Sequence, residues 1–173
     1  AGQPYHVDPW TLETIGPADF KGTLTGFELN RIGSYLPLQT PPDLQHWLVG
    51  ALEGGVARDV TLTLRGDLSH FPFRANTAAE RARGEFRVAG RIENGKLNYS
   101  PSQHAPDGVA PLWPQADKIN GTFVFDRVRM EIRADTASTL GVALSNVKAV
   151  IPDLSLHDKL LEIDGNAVGP LQE

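Results

Sequence analysis

Apolar side chains recur at every second position over most of the 173 residues of this chain. In the segment 60–65, valine and leucine alternate with threonine and arginine, and the segments 85–93, 119–125 and 128–134 repeat the arrangement. Successive side chains of a β-strand point to opposite faces, so the pattern predicts strands with one apolar and one polar face. An antiparallel sheet with one solvated face has this signature, and the lack of a regular βαβ rhythm argues against a parallel α/β fold.

The turns between these segments set the expected number of strands. Asn94-Gly95 predicts a two-residue hairpin, because both central positions of a type I′ turn require positive φ, and Leu97 and Tyr99 would form its return strand. A second tight hairpin is predicted at Asp126-Arg127. With these turns the chain is expected to form about eight or nine strands of about ten residues, each roughly 33 Å long.

Two short helices are predicted to interrupt the period of two. Pro42 and Asp43 suit a first helical turn and Gly54-Gly55 supply a stop, so a helix is expected over 41–52. Asn30 is predicted to cap a shorter helix over 31–36. The predicted fold class is mostly β, a long twisted antiparallel sheet with one or two short helices packed on it or at its end. The apolar stripe that would dock the longer helix consists of Leu44, Trp47, Leu48, Ala51 and Leu52.

Composition narrows the possible partners. The chain is 40% hydrophobic, has a net charge of -5 and scatters its 16 lysines and arginines, so nothing predicts binding to nucleic acid. It has no cysteine, which excludes disulfides and thiolate sites. The longest uncharged run, 136–147, is too short to cross a bilayer, and the first residues do not form a signal peptide. Residues 1–19 read as an extended lead-in, and 20–173 is predicted to be a single β-rich module.

No motif predicts catalysis, a metal site or a cofactor. The five histidines are never spaced like metal ligands, and neither a G-x-G-x-x-G nor a Walker sequence is present. Ser100, His104 and Asp107 lie near one another in a proline-rich stretch, but no nucleophile elbow accompanies them. Trp47 and Trp113 could stack on a sugar ring, although the place of Trp47 on the helical stripe favours core packing.

Several short sequence blocks follow one another in an order and spacing that can be compared with known families. The most specific is the segment 65–73, in which Arg-Gly-Asp-Leu is followed by Phe-Pro-Phe. Over about residues 20–171 the chain resembles the YhdP-type subgroup of the AsmA-like family of Gram-negative envelope proteins, with Asn98 and Asn120 where that family usually has an acidic residue. The other blocks include Tyr35-Leu36-Pro37, Pro42-Asp43-Leu44, Gly84-Glu85-Phe86-Arg87-Val88, Gly95-Lys96-Leu97-Asn98-Tyr99, Glu131-Ile132-Arg133-Ala134, Ile151-Pro152-Asp153-Leu154 and Leu161-Glu162-Ile163-Asp164-Gly165.

The resemblance implies a fold and a function. Members of the family are long proteins with an inner-membrane anchor and a periplasmic body. The resemblance implies that this body is a curved, taco- or groove-like β sheet that carries phospholipid between the inner and outer membranes. The chain is then expected to be an internal module of a longer protein, located in the periplasm. Its expected partners are phospholipid acyl chains and the adjacent modules of the same chain, with no catalytic residue, metal or cofactor.

On this interpretation the apolar sheet face forms a trough for acyl chains, because hydrocarbon needs only apolar surface, worth about 25 cal/mol per Å² buried. The same alternation also fits a sealed core in a scaffold domain, and a carbohydrate-binding sandwich is a third alternative. If the face is a trough, Leu62→Glu should reduce lipid binding and leave the protein folded. The candidate groove residues are Val60, Leu62, Leu64, Phe86, Val88, Ile92, Phe123, Phe125, Val128, Met130 and Ile132.

Overall fold

A computed structural model describes residues 17–101, 106–108, 114–156 and 158–169. These residues form one seven-stranded sheet in which every neighbouring pair is antiparallel and the strand order follows the sequence. The predicted mostly β, antiparallel fold is therefore confirmed. Residues 1–16 of the predicted lead-in lie outside the described ranges. The strands are β1 (Pro17–Glu28), β2 (Leu52–Asp67), β3 (Gly84–Leu97), β4 (Ala116–Asp126), β5 (Arg129–Thr139), β6 (Val142–Ile151) and β7 (Glu162–Val168).

Short helices occupy the connections before β2 and before β3. Helix α1 (Pro42–Ala51) confirms the helix predicted over 41–52. The shorter helix predicted over 31–36 is a 3-10 helix that begins directly after β1, at Leu29, so the predicted cap at Asn30 is wrong; the cap position is Glu28 and no side chain bonds there. Two further helices were not predicted. In addition to α1, the described residues form the 3-10 helices Leu29–Tyr35 and Leu68–His70, and the helix α2 (Ala78–Ala82).

The hairpin predicted at Asn94-Gly95 is wrong. Both residues lie within β3, which continues to Leu97 and pairs with β2 and β4 on either side. Asn94 has a φ of 52° and the pairing register shifts around it, which makes this position a β-bulge. The sequence signal for positive φ was thus correct, but a bulge rather than a turn uses it. A longer β3 and a longer β2 explain why the described residues contain fewer strands than the sequence predicts.

The second predicted hairpin is confirmed with a small displacement. Asp126 and Arg129 are the last paired residues of β4 and β5, so the two-residue turn consists of Arg127 and Val128. Arg127 has a φ of 57° and donates from Nη2 to the Gly84 carbonyl at 2.8 Å. Val128 therefore lies in the turn rather than on a strand.

The two faces of the sheet differ as the alternation predicts. We call the inner face the one that bears Val60 and Met130, and the outer face the one that bears Thr61 and Glu131. Buried inner-face residues form two clusters. The larger cluster spans β2 to β6 and includes the apolar side of α1, and the smaller one lies between the far end of β2 and β3 and the segment 68–73. Strand β7 adds little to either cluster, since each of its residues is exposed.

Candidate functional site

A row of inner-face residues crosses the sheet and shows where the inner face is open. Direct cross-strand pairing places Gly22, Leu62, Val88, Phe125 and Met130 side by side on β1 to β5. The first four border a cavity of about 130 Å³, whereas Met130 is 0% exposed. The cavity is therefore a groove over β1–β4 that stops before β5.

The groove is lined almost entirely by apolar side chains. Strands β1–β4 form its floor, and the 3-10 helix Leu29–Tyr35 together with α1 closes one end. Tyr35 packs against Phe27 with ring centroids 4.9 Å apart, and its hydroxyl and that of Thr23 are the only polar side-chain groups among the lining residues. The lining residues are Phe20, Gly22, Thr23, Leu24, Phe27, Leu29, Ile32, Tyr35, Leu36, Leu48, Leu52, Val60, Leu62, Phe86, Val88, Phe123 and Phe125.

The wall on β1 depends on a glycine. A Cβ atom at Gly22 would lie 2.7 Å from Cε1 of Phe20, so the ring of Phe20 occupies the space beside the Gly22 backbone. Both residues border the groove. Because real Cβ contacts are longer than this, any side chain at Gly22 would displace the ring and change the shape of the wall.

The structure separates the predicted groove residues into two sets. Leu64 packs in the smaller cluster under the segment 68–73, and Val128 lies in the β4–β5 turn. Ile92, Met130 and Ile132 are buried in the larger cluster and do not border the groove. The predicted residues that do border it are Val60, Leu62, Phe86, Val88, Phe123 and Phe125.

Two informative parts of the groove were not predicted from the sequence. The first is the β1 wall, although Phe20, Gly22 and Leu24 alternate in the sequence like the residues of the other strands. The second is the 3-10 helix, which contributes Ile32. Leu36, directly after the last residue of this helix, also lines the groove. The signal for β1 was available, whereas the packing of a short helix on the sheet depends on tertiary contacts.

Hydrogen bonds join α1 to two separate segments beside the groove, and the bonded residues do not border it. Trp47 Nε1 on α1 donates to the Tyr99 carbonyl at 3.0 Å, and the Tyr99 hydroxyl donates to the Lys159 carbonyl in the β6–β7 connection. The Asn98 N–H donates to the Ala51 carbonyl at 2.8 Å, which fixes the chain after β3 to the end of α1. Burial raises the pKa of the Tyr99 phenol. We call this arrangement the Tyr99 bridge.

The segment 68–73 packs on the inner face over the far ends of β2 and β3. Phe73, at a φ of 62°, lies so close to Gly84 that any Cβ there would overlap its ring. Arg74 then forms an ion pair of 2.5 Å with Asp153 in the β6–β7 connection. The most specific block of the family resemblance thus covers one end of the inner face.

The outer face carries charges instead. Glu131 accepts hydrogen bonds from Arg129 Nη1 at 2.9 Å and from Arg133 Nε at 3.0 Å, and Lys148 Nζ lies 3.7 Å away. The bond from Arg129 is the main reason that the pKa of Glu131 lies below its ordinary value. Ion pairs of this kind keep the outer face hydrated and leave the inner face as the apolar surface.

The groove chemistry suits hydrocarbon rather than a reacting group. Among the described residues no cluster of three or more histidine or acidic side chains could hold a metal ion. His104 and Trp113, considered from the sequence, lie outside the described residues, and Trp47 is 6% exposed. In the same part of the chain no helix has the length and apolar character needed to cross a membrane.

Comparison with known proteins adds a family. The family model described as YhdP protein matches residues 11–173. The chain is 29% identical over 174 aligned residues to the intermembrane phospholipid transporter YhdP of Escherichia coli (strain K12). That alignment covers 97% of this chain and 12% of the transporter, so the chain spans a small part of the length of its relative. No solved structure matches the chain.

Proposed function

Because the chain belongs to the YhdP family, we propose that it is a lipid-carrying module of a longer envelope protein, in which the groove over β1–β4 holds phospholipid acyl chains. The longer protein would be anchored in the inner membrane, and this module would lie in the periplasm on the path between the inner and outer membranes. The name of the E. coli relative, an intermembrane phospholipid transporter, supports the choice of lipid. On this proposal the chain is not an enzyme.

The observation that carries the proposal is the groove itself. Apolar cavities of on the order of 150 Å³ stay dry and bind small hydrocarbons. The groove has a comparable volume of about 130 Å³, so it suits a segment of an acyl chain rather than a whole lipid. Each Å² of apolar surface that the bound acyl chain removes from water contributes about 25 cal/mol to the binding free energy. A module of this kind needs neighbours to hold the remainder of the lipid.

Those neighbours would be adjacent modules of the same longer chain. Within the described residues β1 pairs only with β2 and β7 pairs only with β6, so these two strands lie at the two sides of the described sheet. Unpaired strand edges are templates for further strands. We propose that residues 20–173 are one internal module and that the sheet continues beyond one or both edges.

A second candidate function is a scaffold with a sealed core. The burial of Met130, Ile151 and Leu154 favours it, because this part of the inner face is filled by protein. The open groove over β1–β4 argues against a fully sealed core. A carbohydrate-binding surface has less support, since Trp47 is packed inside.

Leu62, the groove position that the sequence suggests for a test of lipid binding, is buried. Leu62 is 5% exposed, so a glutamate there would bury a charge and unfold the protein as readily as it would repel lipid. Val88 is its direct cross-strand partner, borders the same groove and is only partly buried. We therefore expect Val88→Glu to leave a folded chain and to lower phospholipid affinity about tenfold or more, because it places a carboxylate against hydrocarbon.

The experiment is lipid retention during purification, followed by native mass spectrometry and titration with a fluorescent phospholipid. Val124→Glu is the matched control, since Val124 lies on the outer face of β4, the strand next to Val88. The control should bind lipid like the wild type. If wild type binds no phospholipid, or if the two variants lose binding equally, the groove is not the lipid site and the scaffold function is favoured.

A further inference from the structure

The groove ends at β4 although the apolar inner face continues. Met130 on β5 and Ile151 on β6 extend the row that starts at Leu62 and Val88, and both are 0% exposed. An acyl chain lying across the strands would meet the same kind of surface on β5 as on β4. Something above the sheet must therefore stop it there.

The segments that the Tyr99 bridge joins contribute residues to the same hydrophobic cluster as Met130 and Ile151. The cluster around Met130 includes Trp47 of α1 and Leu154 of the β6–β7 connection, with Tyr99 and Leu161 packed against it. Pro101 also packs on α1, because a Cβ at Gly50 would lie 2.7 Å from Pro101 Cβ. Helix α1, the segment 98–101 and the β6–β7 connection thus form one cover.

Taking the lipid-carrying function above as given, we propose that the Tyr99 bridge is the stop of the groove and sets the length of acyl chain that the module accommodates. Tyr99 is a positioning residue: it does not border the groove, but its carbonyl holds Trp47 and its hydroxyl holds the connection at Lys159. Without these bonds the cover can move away from β5, and the apolar surface around Met130 becomes accessible to the acyl chain.

The second half of the β6–β7 connection is less tightly packed than the first. Leu156 and Leu160 in the β6–β7 connection are 45% and 63% exposed, so much of the connection contributes little burial. The Lys159 side chain donates to the Leu156 carbonyl within the same connection, at 2.8 Å. The first half of the connection is anchored by buried Leu154, whose N–H donates to the Val128 carbonyl at 2.7 Å, whereas the Tyr99 hydroxyl bond joins the second half to the segment after β3.

The test is the dependence of affinity on acyl-chain length. Monoacyl phosphocholines that differ by two methylenes are titrated into the 173-residue chain below their micelle concentrations. For the wild type we expect the affinity to rise about fourfold for each additional buried methylene and then to stop rising at one chain length. Tyr99→Ala should move this plateau to longer chains, and Tyr99→Phe and Trp47→Phe, which each remove one hydrogen-bond donor, should move it in the same direction.

Thr61→Ala is the matched control, because Thr61 Oγ1 also donates to a backbone carbonyl, that of Ala89, but on the outer face. Its plateau should match that of the wild type. If Tyr99→Ala unfolds in circular dichroism, the two phenylalanine variants decide. A plateau at the same length in the wild type and in the folded variants overturns the stop, whereas an absence of binding by the wild type at every length overturns the lipid-carrying function itself.

Discussion

The open and the filled parts of the inner face share one sequence pattern and differ in what covers them. Val88 and Phe125 border the groove, while Met130 and Ile151, the next two members of the same row, are completely buried. All four are apolar residues in strands whose sequences alternate between apolar and polar side chains. The comparison shows that in an amphipathic sheet the connections decide whether the apolar face becomes core or binding surface.

The two parts should therefore contribute differently to stability and binding. Side chains under the cover have already lost their contact with water, so their burial stabilises the fold. Side chains over the groove keep part of their surface exposed, and that surface loses its water only when hydrocarbon enters. Removal of a side chain should cost folding free energy in the first case and mainly affinity in the second.

The strongest test of this difference uses two residues that face each other across β4 and β5. Phe125 and Met130 are direct cross-strand partners. We expect Met130→Ala to lower the free energy of unfolding by about 2–5 kcal/mol, the usual cost of such a change in a packed core, and to leave lipid affinity unchanged. Phe125→Ala should lower stability by less than that range and should weaken phospholipid binding.

The measurements are urea unfolding and phospholipid titration on the same samples. The two variants serve as controls for each other, since both remove an inner-face side chain. Equal losses of stability accompanied by equal losses of affinity would mean that the inner face is one continuous surface, and the distinction between the open and filled parts would be wrong.

The strands and their faces could be predicted from the sequence because alternation is local. The error at Asn94-Gly95 is instructive for the same reason. Asparagine followed by glycine reports that the backbone adopts positive φ, and Asn94 does so, but a hairpin and a bulge both satisfy that requirement. The neighbouring strands favour the bulge: a Cβ at Gly95 would lie 3.3 Å from Ile119 Cβ of β4, and a Cβ at Gly55 of β2 would lie 2.5 Å from Gly95 Cα.

The extent of the groove could be predicted only in part. Val88 and Met130 carry the same kind of local signal, so the sequence predicts both as groove residues. The distinction depends on where α1 and the β6–β7 connection come to rest, and that is fixed by bonds such as the one between Trp47 and Tyr99, which are 52 residues apart. A contact between residues so far apart in sequence produces no periodic pattern from which it could be predicted.

A second prediction concerns the pH dependence of the cover. Burial raises the pKa of Tyr99 above its ordinary value of 10.0, so the folded state favours the neutral phenol. This contribution is fully present below about pH 10 and is lost as the pH rises through the folded-state pKa. We expect the wild type to lose stability above that pH more steeply than Tyr99→Phe, measured as thermal midpoints from neutral pH upward.

Lysines titrate in the same range, but they do so in both proteins, so the difference between the two curves isolates Tyr99. The neighbouring Lys159 ammonium, whose pKa burial lowers, is also common to both. Parallel curves would show that the phenol hydroxyl does not hold the cover.

The smallest expected effect is a difference in stability between variants of two isoleucines that lie in one cross-strand row of the inner face. Ile132 on β5 and Ile163 on β7 flank Ala149 of β6 on the inner face, yet they are 5% and 65% exposed. Ile132→Val should lower the free energy of unfolding by about 0.5–1.5 kcal/mol, whereas Ile163→Val should stay within about 0.5 kcal/mol of the wild type. Urea unfolding of the two variants measures both, and an equal loss would mean that the cover extends over β7 in solution, leaving no exposed inner face there for an adjacent module.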